Sequence, residues 1–486
     1  VSRGPLPLGD APRATAEVDV VVVGMGCAGA AAAYEAARSG ASVAVLDGAG
    51  GPGGASAVSG GELYLGGGTE VQRACGYDDD PDAMFAYLSA ALGPHPDEAK
   101  LRLYCDESVE HFRWFQALGV DFKPSLYDGV SWLPPTDDGL MWLGENAWPF
   151  TEIAKPAPRG HRPATAGHGG WLMMERLTAA VEGSGATVSA NTRADALLVD
   201  GDGRVAGVVA RRFGEDVGFR ARRGVVLATG GFADDAAMVA DHVPALVGHR
   251  AVSAGRDDGT GIRLGLSAGG TTRRLGSAQV ALSVVPALAC RGMLVDGLGQ
   301  RFVNEDVYPG RFSQAAVLHR PGPWFTLVDE RGWEEVPPAE RWGVQPRAVA
   351  ATLAELEAAL GLPAGALEDT VARYNRDAAR GVDLLHHKDP RWLRPLEPPY
   401  AVIDATAGFD PDGRKADGTG VSGFTLGGLR TGVDGEVIDA DGCPVPGLYA
   451  AGRATSGIHG EGYVSGTSLG DGTFIGRRAG LAVARG

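Results

Sequence analysis

The sequence predicts an α/β fold in which a parallel sheet is interrupted by an inserted α+β unit, and three observations predict it. Val18-Asp19-Val20-Val21-Val22-Val23 is a continuous β-branched run of the kind that forms a parallel strand buried on both faces. Two later segments, 223–231 and 447–453, repeat the pattern of an apolar strand running into glycines. Between about Ala278 and Gly420 that pattern fades, and 348–360 and 366–380 read as helices.

The first strand ends in Gly24-Met25-Gly26-Cys27-Ala28-Gly29. An Ala-rich helix follows to Ser39, Gly40 breaks it, and 41–46 is a second strand closing on Asp47. GxGxxG alone is a weak signal. Here it follows a strand, opens a helix and precedes an acid at the next strand end, which together read as a Rossmann-type dinucleotide site. Gly24 permits the tight turn, Gly26 lets a pyrophosphate reach the N–H groups at the helix N-terminus, and Gly29 lets helix and strand pack closely. Asp47 is placed to accept from ribose hydroxyls.

Composition excludes several classes. At about 150 residues per domain, 486 residues imply two or three domains. A net charge of −16 opposes attraction to phosphate backbones, so no nucleic-acid partner is expected. The five cysteines are scattered, without a CxxC pair, which points to neither a disulfide framework nor a zinc site and fits a reduced, cytoplasmic protein. No HxxE or HxH spacing suggests a metal. Residues 1–17 carry Arg3 and Arg13 but no apolar signal segment, and the longest apolar stretch, 280–290, is short of the roughly 20 residues a membrane span needs. A soluble, unprocessed chain without a transmembrane segment is expected.

Residues 50–61 form a long Gly/Ser loop instead of the short helix entry of a nicotinamide dehydrogenase. Its Gly53, Gly54, Ala55, Ser56 and Gly61 can wrap a pyrophosphate and a flavin edge. With this loop, Ala228-Thr229-Gly230-Gly231, Phe424-Thr425-Leu426-Gly427-Gly428-Leu429 and Leu448-Tyr449-Ala450-Ala451-Gly452, the chain resembles the FAD-dependent fumarate reductase and succinate dehydrogenase flavoprotein superfamily over nearly its whole length. The resemblance implies a discontinuous Rossmann-type FAD-binding domain over 1–277 and 421–486, with an inserted α+β catalytic and substrate-capping domain over 278–420. It adds Thr229, Gly230, Gly452, Ser468 and Leu469 to the FAD contacts. The stretch from Ser468 towards Ala482 reads as a helix whose N-terminal dipole faces the flavin pyrimidine edge. Covalent members of the superfamily carry a His in the loop, and 53–61 contains none, so the FAD is expected to be noncovalent. No second GxGxxG follows, and an external electron acceptor is implied.

Fumarate reductases place a His in the segment matching Phe424 to Gly428 and an Arg in the glycine-rich segment after Gly460; this chain has Phe424 and Tyr463. Without those cations a bound dicarboxylate would leave buried charge unpaired, at a cost of roughly several kcal/mol per ion. The segments 460–472, 301–308, 63–69 and 156–161 instead resemble the 3-ketosteroid Δ4-(5α)-dehydrogenases. That resemblance implies desaturation beside a ketone: Tyr463 hydrogen-bonds the carbonyl, Ser465 takes the α-proton from C4, Tyr308 passes it towards solvent, and flavin N5 takes the β-hydride from C5. A serine is a poor base alone, so Ser465 depends on a partner such as Tyr308. Trp132, Met141, Trp142, Trp148 and Phe150 are candidate walls for an apolar pocket, with core packing the alternative. His161, His168 and His459 read as loop hydrogen-bonders, and 78–80 and 234–235 as surface charge and helix starts. The rival enzymatic reading is an enone or enoate reductase of the fumarate reductase type. The non-enzymatic rival is a flavin-binding interaction protein.

Overall fold

A computed structural model describes residues 4–12, 14–407 and 420–486, so Arg3 and Arg13 lie outside the described residues. β1 (Ala14–Val23) runs through the middle of the largest sheet, where Val20, Val21 and Val22 are wholly shielded from solvent. α1 (Cys27–Arg38) follows, and the chain returns as β2 (Val43–Leu46). β2 starts two residues later than the apolar run suggests. The Ala41 N–H is spent on the Ala36 carbonyl, and Ser42 is turned to hydrogen-bond Asp19.

β3 (Thr187–Ser189) extends the sheet beyond β2. β4 (Thr192–Val199), β5 (Val205–Arg212) and β6 (Glu215–Leu227) form an antiparallel meander. Past an irregularity between Ala221 and Gly224, the last four residues of β6 lie parallel to Val20–Val23. Residues 218–221 of β6 already pair parallel with β1 before that irregularity, so β6 joins the meander to the parallel sheet.

β7 (Ala278–Leu282) opens the segment assigned from the sequence as an insertion. Within that segment β8 (Met293–Val295), α2 (Pro309–His319), β9 (Phe325–Asp329), β10 (Ala348–Ala350), α3 (Leu353–Leu360), α4 (Ala366–Ala378) and β11 (Tyr400–Asp404) follow. The antiparallel sheet β8-β9-β11-β10 packs against α3 and α4 around Phe325, Leu327, Leu356, Val371 and Val402. The helix expected from Ala348 therefore begins only at Leu353. Ala348–Ala350 are drawn into pairing with β11, and Thr352 starts the helix with a capping box to Glu355. β12 (Val421–Thr425) pairs antiparallel with β7 from Ala278↔Thr425 to Leu282↔Val421, so the chain enters and leaves the segment side by side.

β13 (Pro444–Ala450) completes the parallel core β3-β2-β1-β6-β13, pairing Val225–Leu227 with Leu448–Ala450. α5 (Thr467–Arg485) then crosses α1 at close range. Gly476 and Gly480 make this possible, because a Cβ at either would run into the carbonyl oxygen of Ala28 or Ala32. One surface expectation is corrected here. Asp80 does cap a helix, but Asp79 is fully buried and takes Arg159 at 3.0 and 2.7 Å.

Replacing Gly476 by Leu should force α1 and α5 apart, costing about 1–3 kcal/mol or more of stability. Thermal unfolding of the purified variant measures it, and an unchanged midpoint would show that the crossing tolerates a side chain.

Candidate active site

The carboxyl ends of β1, β2 and β6 open into a cleft of about 2030 Å³ including its mouth, in the position where open α/β sheets bind ligands. The three fingerprint glycines differ in what demands them. Gly24 has φ +102°, and a Cβ there would strike the Ala228 carbonyl; one on Gly29 would strike the Gly24 carbonyl. Gly26 has ordinary extended backbone, and a Cβ there would meet only Ser56 Oγ, at 3.5 Å. Nothing in the chain requires glycine at 26. The open space over the α1 N-terminus suits an anion that must touch backbone N–H groups. Asp47 is held in place by accepting from the Met25 and Ala49 N–H groups at 2.7 Å each, with its carboxylate on the cleft.

Gly54, Ala55, Ser56, Thr229, Gly230, Gly452, Ser468 and Leu469 also line the cleft, as the sequence predicts. Gly29, Gly53 and Gly61 do not. Gly53 donates its N–H to Met25 at 2.9 Å, and Gly61 is a packing glycine whose Cβ direction is filled by Gly169 and Gly170. Thr229 Oγ1 accepts from the Gly261 N–H at 3.0 Å, which leaves its backbone to face the cleft. α5 begins at the cleft, at Gly466 with φ +81°, and Ser468, whose hydroxyl is buried beside Tyr463, lines the cleft there. Two helix N-termini and a bare backbone at Gly26 fit a long dinucleotide with an anionic middle and a polar ring edge.

Tyr308, Tyr463 and Ser465 converge on the same cleft from α2 and from the turn before α5. Burial raises the Tyr308 phenol well above its ordinary pKa, Tyr463 pushes it the same way, and hydrogen bonding from Ser465 opposes them. Tyr463 is likewise raised by burial, and its ring stands edge-on to Phe424 at 5.2 Å and stacks over His459 at 5.6 Å. Both phenols therefore keep their protons across the physiological range. The Arg453 guanidinium lies over Phe424 at 5.2 Å and is already paired with Asp257 at 2.5 Å.

His459 and His161 are structural. Burial lowers them to about 3 and about 4, and they sit 3.0 Å from Thr467 Oγ1 and 2.8 Å from Thr69 Oγ1 respectively. His168 is exposed and lines the cleft. Of the aromatic segment only Trp132 reaches the cleft, edge-on to Tyr308 at 5.9 Å. The others are corrected to packing: Trp142 against Tyr77, Trp148 on His387, Phe150 against Tyr87, and Met141 in the core.

Among the cleft residues that escape the sequence reading are Glu62, Asp257 and Arg453. Glu62 was visible as a lone acid between two glycines and the apolar run Leu63-Tyr64-Leu65, and Arg453 as a charge directly after Gly452. Asp257 has no comparable signal. Among the described residues no His, Cys, Asp or Glu cluster could hold a metal ion, no helix is long and apolar enough to cross a membrane, and all five cysteines are free.

Comparison with known proteins agrees with this geometry. The profile of the FAD binding domain family matches residues 19–469, and the chain belongs to that family of FAD-binding flavoprotein oxidoreductases. Within it, the crystal structure of 3-ketosteroid-Δ4-(5α)-dehydrogenase from Rhodococcus jostii RHA1 in complex with 4-androstene-3,17-dione superposes with a TM-score of 0.94 at 45% identity, over 99% of this chain and 100% of that one. The 3-oxo-5-alpha-steroid 4-dehydrogenase of Comamonas testosteroni is 26% identical over 89% of this chain and 92% of its own length. The fumarate reductase (cytochrome) of Shewanella frigidimarina is 29% identical over 98% of this chain and 78% of its own.

Gly26→Val should abolish FAD retention while changing the stability of the flavin-free protein by less than about 1 kcal/mol, since only an N-cap glycine is exchanged. Flavin absorbance and apoprotein melting separate the two effects. Denaturing the holoprotein should release its FAD intact into the supernatant; flavin that stays with the precipitate would reveal a covalent bond.

Proposed function

We propose that this protein is an FAD-dependent dehydrogenase of saturated 3-ketosteroids or similar fused-ring ketones, introducing the C4=C5 double bond beside the carbonyl. The observation that carries this reading is the meeting of Tyr463, Ser465 and Tyr308 in one cleft whose neighbouring guanidinium, Arg453, is neutralised by Asp257. The likeness to the Rhodococcus enzyme with its bound steroid dione supports the substrate class.

As the α-proton leaves, negative charge develops on the carbonyl oxygen. Tyr463 is positioned to donate to that oxygen, and one such preorganised donor contributes on the order of 10² to 10³ in rate. Its raised pKa keeps the donor protonated. Ser465 receives the proton from the α-carbon while its own hydroxyl proton passes to Tyr308, the group it already faces. Bound FAD supplies the acceptor for the hydride that leaves the β-carbon. Neutral donors suit a neutral ketone.

That Tyr308, Gln279 and Ala281 line the cleft supports a capping role for the inserted segment. The absence of His between Gly53 and Gly61 supports noncovalent FAD, and the lack of a second GxGxxG supports an electron acceptor from outside the chain. Five free cysteines, one of them the exposed Cys443, support a reducing compartment such as the cytoplasm.

A saturated 3-ketosteroid should bleach the flavin anaerobically, whereas succinate should not. Rapid fumarate reduction by the reduced enzyme would replace this reading with the reductase one. Tyr463→Phe should retain FAD and lose on the order of 10² or more in the bleaching rate. Ser465→Ala should suppress exchange of the α-proton with solvent deuterium, and Tyr308→Phe should do the same. Members of one relay are non-additive, so the Ser465→Ala, Tyr308→Phe double variant should be scarcely slower than either single one. Fully multiplicative losses would exclude the relay.

A further inference from the structure

Glu62 is a carboxylate without an occupation. It lies 6% exposed and lines the cleft together with Tyr308, Tyr463 and Ser465. Its backbone abuts Gly466, the residue after Ser465: Tyr64 donates to the Gly466 carbonyl at 3.2 Å, and a Cβ on Gly466 would stand 3.1 Å from the Glu62 carbonyl carbon. The side chain folds back over Gly60, where a Cβ would collide with it. Glu62 Oε1 has no hydrogen-bond partner.

A structural ion pair does not account for it. Arg162 is the nearest cation, with Nε 3.9 Å from Glu62 Oε1, and neither atom is hydrogen-bonded. The other guanidinium nitrogens of Arg162 donate to the carbonyls of Thr136, Asp138, Thr165 and Gly167. That buried guanidinium is thus hydrogen-bonded without Glu62, while a buried carboxylate oxygen without a partner is costly. Glu62 shares the cleft with Tyr308 and is near enough for its charge to raise the phenol's pKa. On its other side the 59–60 loop is tied to the 169–170 turn by Gly169 N–H to Gly60 O at 2.7 Å and Gly170 N–H to Ser59 O at 3.2 Å, which sets exposed His168 beside it.

We propose that Glu62 is the proton depot beyond Tyr308, with His168 as its outlet to solvent. The inference rests on the dehydrogenase reading above. Breaking of the Cα–H bond forms a new Ser465 O–H, the former Ser465 proton moves to Tyr308 Oη, the Tyr308 proton moves to ionised Glu62, and protonated Glu62 discharges through His168 to water. Every proton gained at one atom is lost at the next. The groups facing Glu62 are Arg162 and His168 from the 160–170 segment, Tyr308 at the start of α2, and Tyr463 before α5. Burial raises the Glu62 pKa, with Arg162 opposing it. Only the carboxylate can accept, so relay competence is complete above that raised pKa and is lost as pH falls through it.

The test uses FAD-loaded wild type, E62Q and E62D with a saturated 3-ketosteroid. Bleaching by wild type should fall on the acid side with one ionisation. E62Q should lose on the order of 10² in bleaching rate and lose that acid limb, with unchanged ketone affinity, and E62D should recover most of the rate. The infrared spectrum gives a readout independent of turnover: a carboxylic acid band titrating with the acid limb in wild type, absent from E62Q and shifted in Tyr308→Phe. Wild type that bleaches with no ketone overturns the functional reading, and this inference with it. E62Q matching wild type in rate and pH profile overturns the inference alone. Should E62Q fail to hold flavin, the wild-type infrared titration decides, and the absence of a titrating acid band that responds to Tyr308→Phe rejects the depot.

Discussion

The close crossing of α1 and α5 is the constraint on which the site depends. Glycines at 476 and 480 let α5 lie on the carbonyl oxygens of Ala28 and Ala32, and Gly472 approaches Cys27 and Ala28 near the cleft end. With the helices at this spacing, the N-termini of a 12-residue and a 19-residue helix open into the same space. Each presents roughly half a positive charge and a set of free N–H groups. One end suits the phosphates of the cofactor, the other its electron-rich ring. Neither would be aimed there if a larger side chain held the helices apart, so the binding of a polar cofactor is set by the smallest residues in the chain.

A second theme is how little net charge the substrate side presents. The protein is acidic overall, with many ion pairs on its surface, yet the groups beside Ser465 are phenols that stay protonated, a guanidinium, Arg453, already answered by Asp257, and one acid, Glu62, with Arg162 behind it. A family that also includes relatives acting as fumarate reductases can thus turn from dianions to ketones through a few positions. Phe424 and Tyr463 stack edge-to-face where cations would otherwise compensate carboxylates. Under the proposed function, the same pair offers a flat apolar surface and one donor to a fused-ring ketone.

The parallel core was legible in the sequence because its signals are local: a β-branched run, a glycine turn and an acid at a fixed distance. Gly24, Gly26 and Asp47 are expected from spacing, and Tyr308, Tyr463 and Ser465 from the motifs around them, and all six line the cleft. What could not be read were relations between distant residues. Asp79 looks like one of three surface acids until Arg159 is seen to close on it, and Asp257 has no meaning until Arg453 arrives from the far side of the chain. Strand pairing also overrode local periodicity, as at Ala348–Ala350, where the partner β11 lies some fifty residues ahead. The aromatic segment misled because hydrophobicity does not say which face is the pocket.

The pairing of α1 with α5 also fixes the order of events at birth. β6 finds β1 across about two hundred residues, but β13 and α5 are made only after the whole 278–420 segment has emerged. Contacts of such sequence separation form late and slowly. During synthesis the Gly26 end of α1 therefore waits with its covering helix absent, and a chain stopped anywhere before residue 467 has half a cradle. Loading of FAD therefore waits for α5, and flavin acts on this protein as a ligand that favours chains in which that helix has docked.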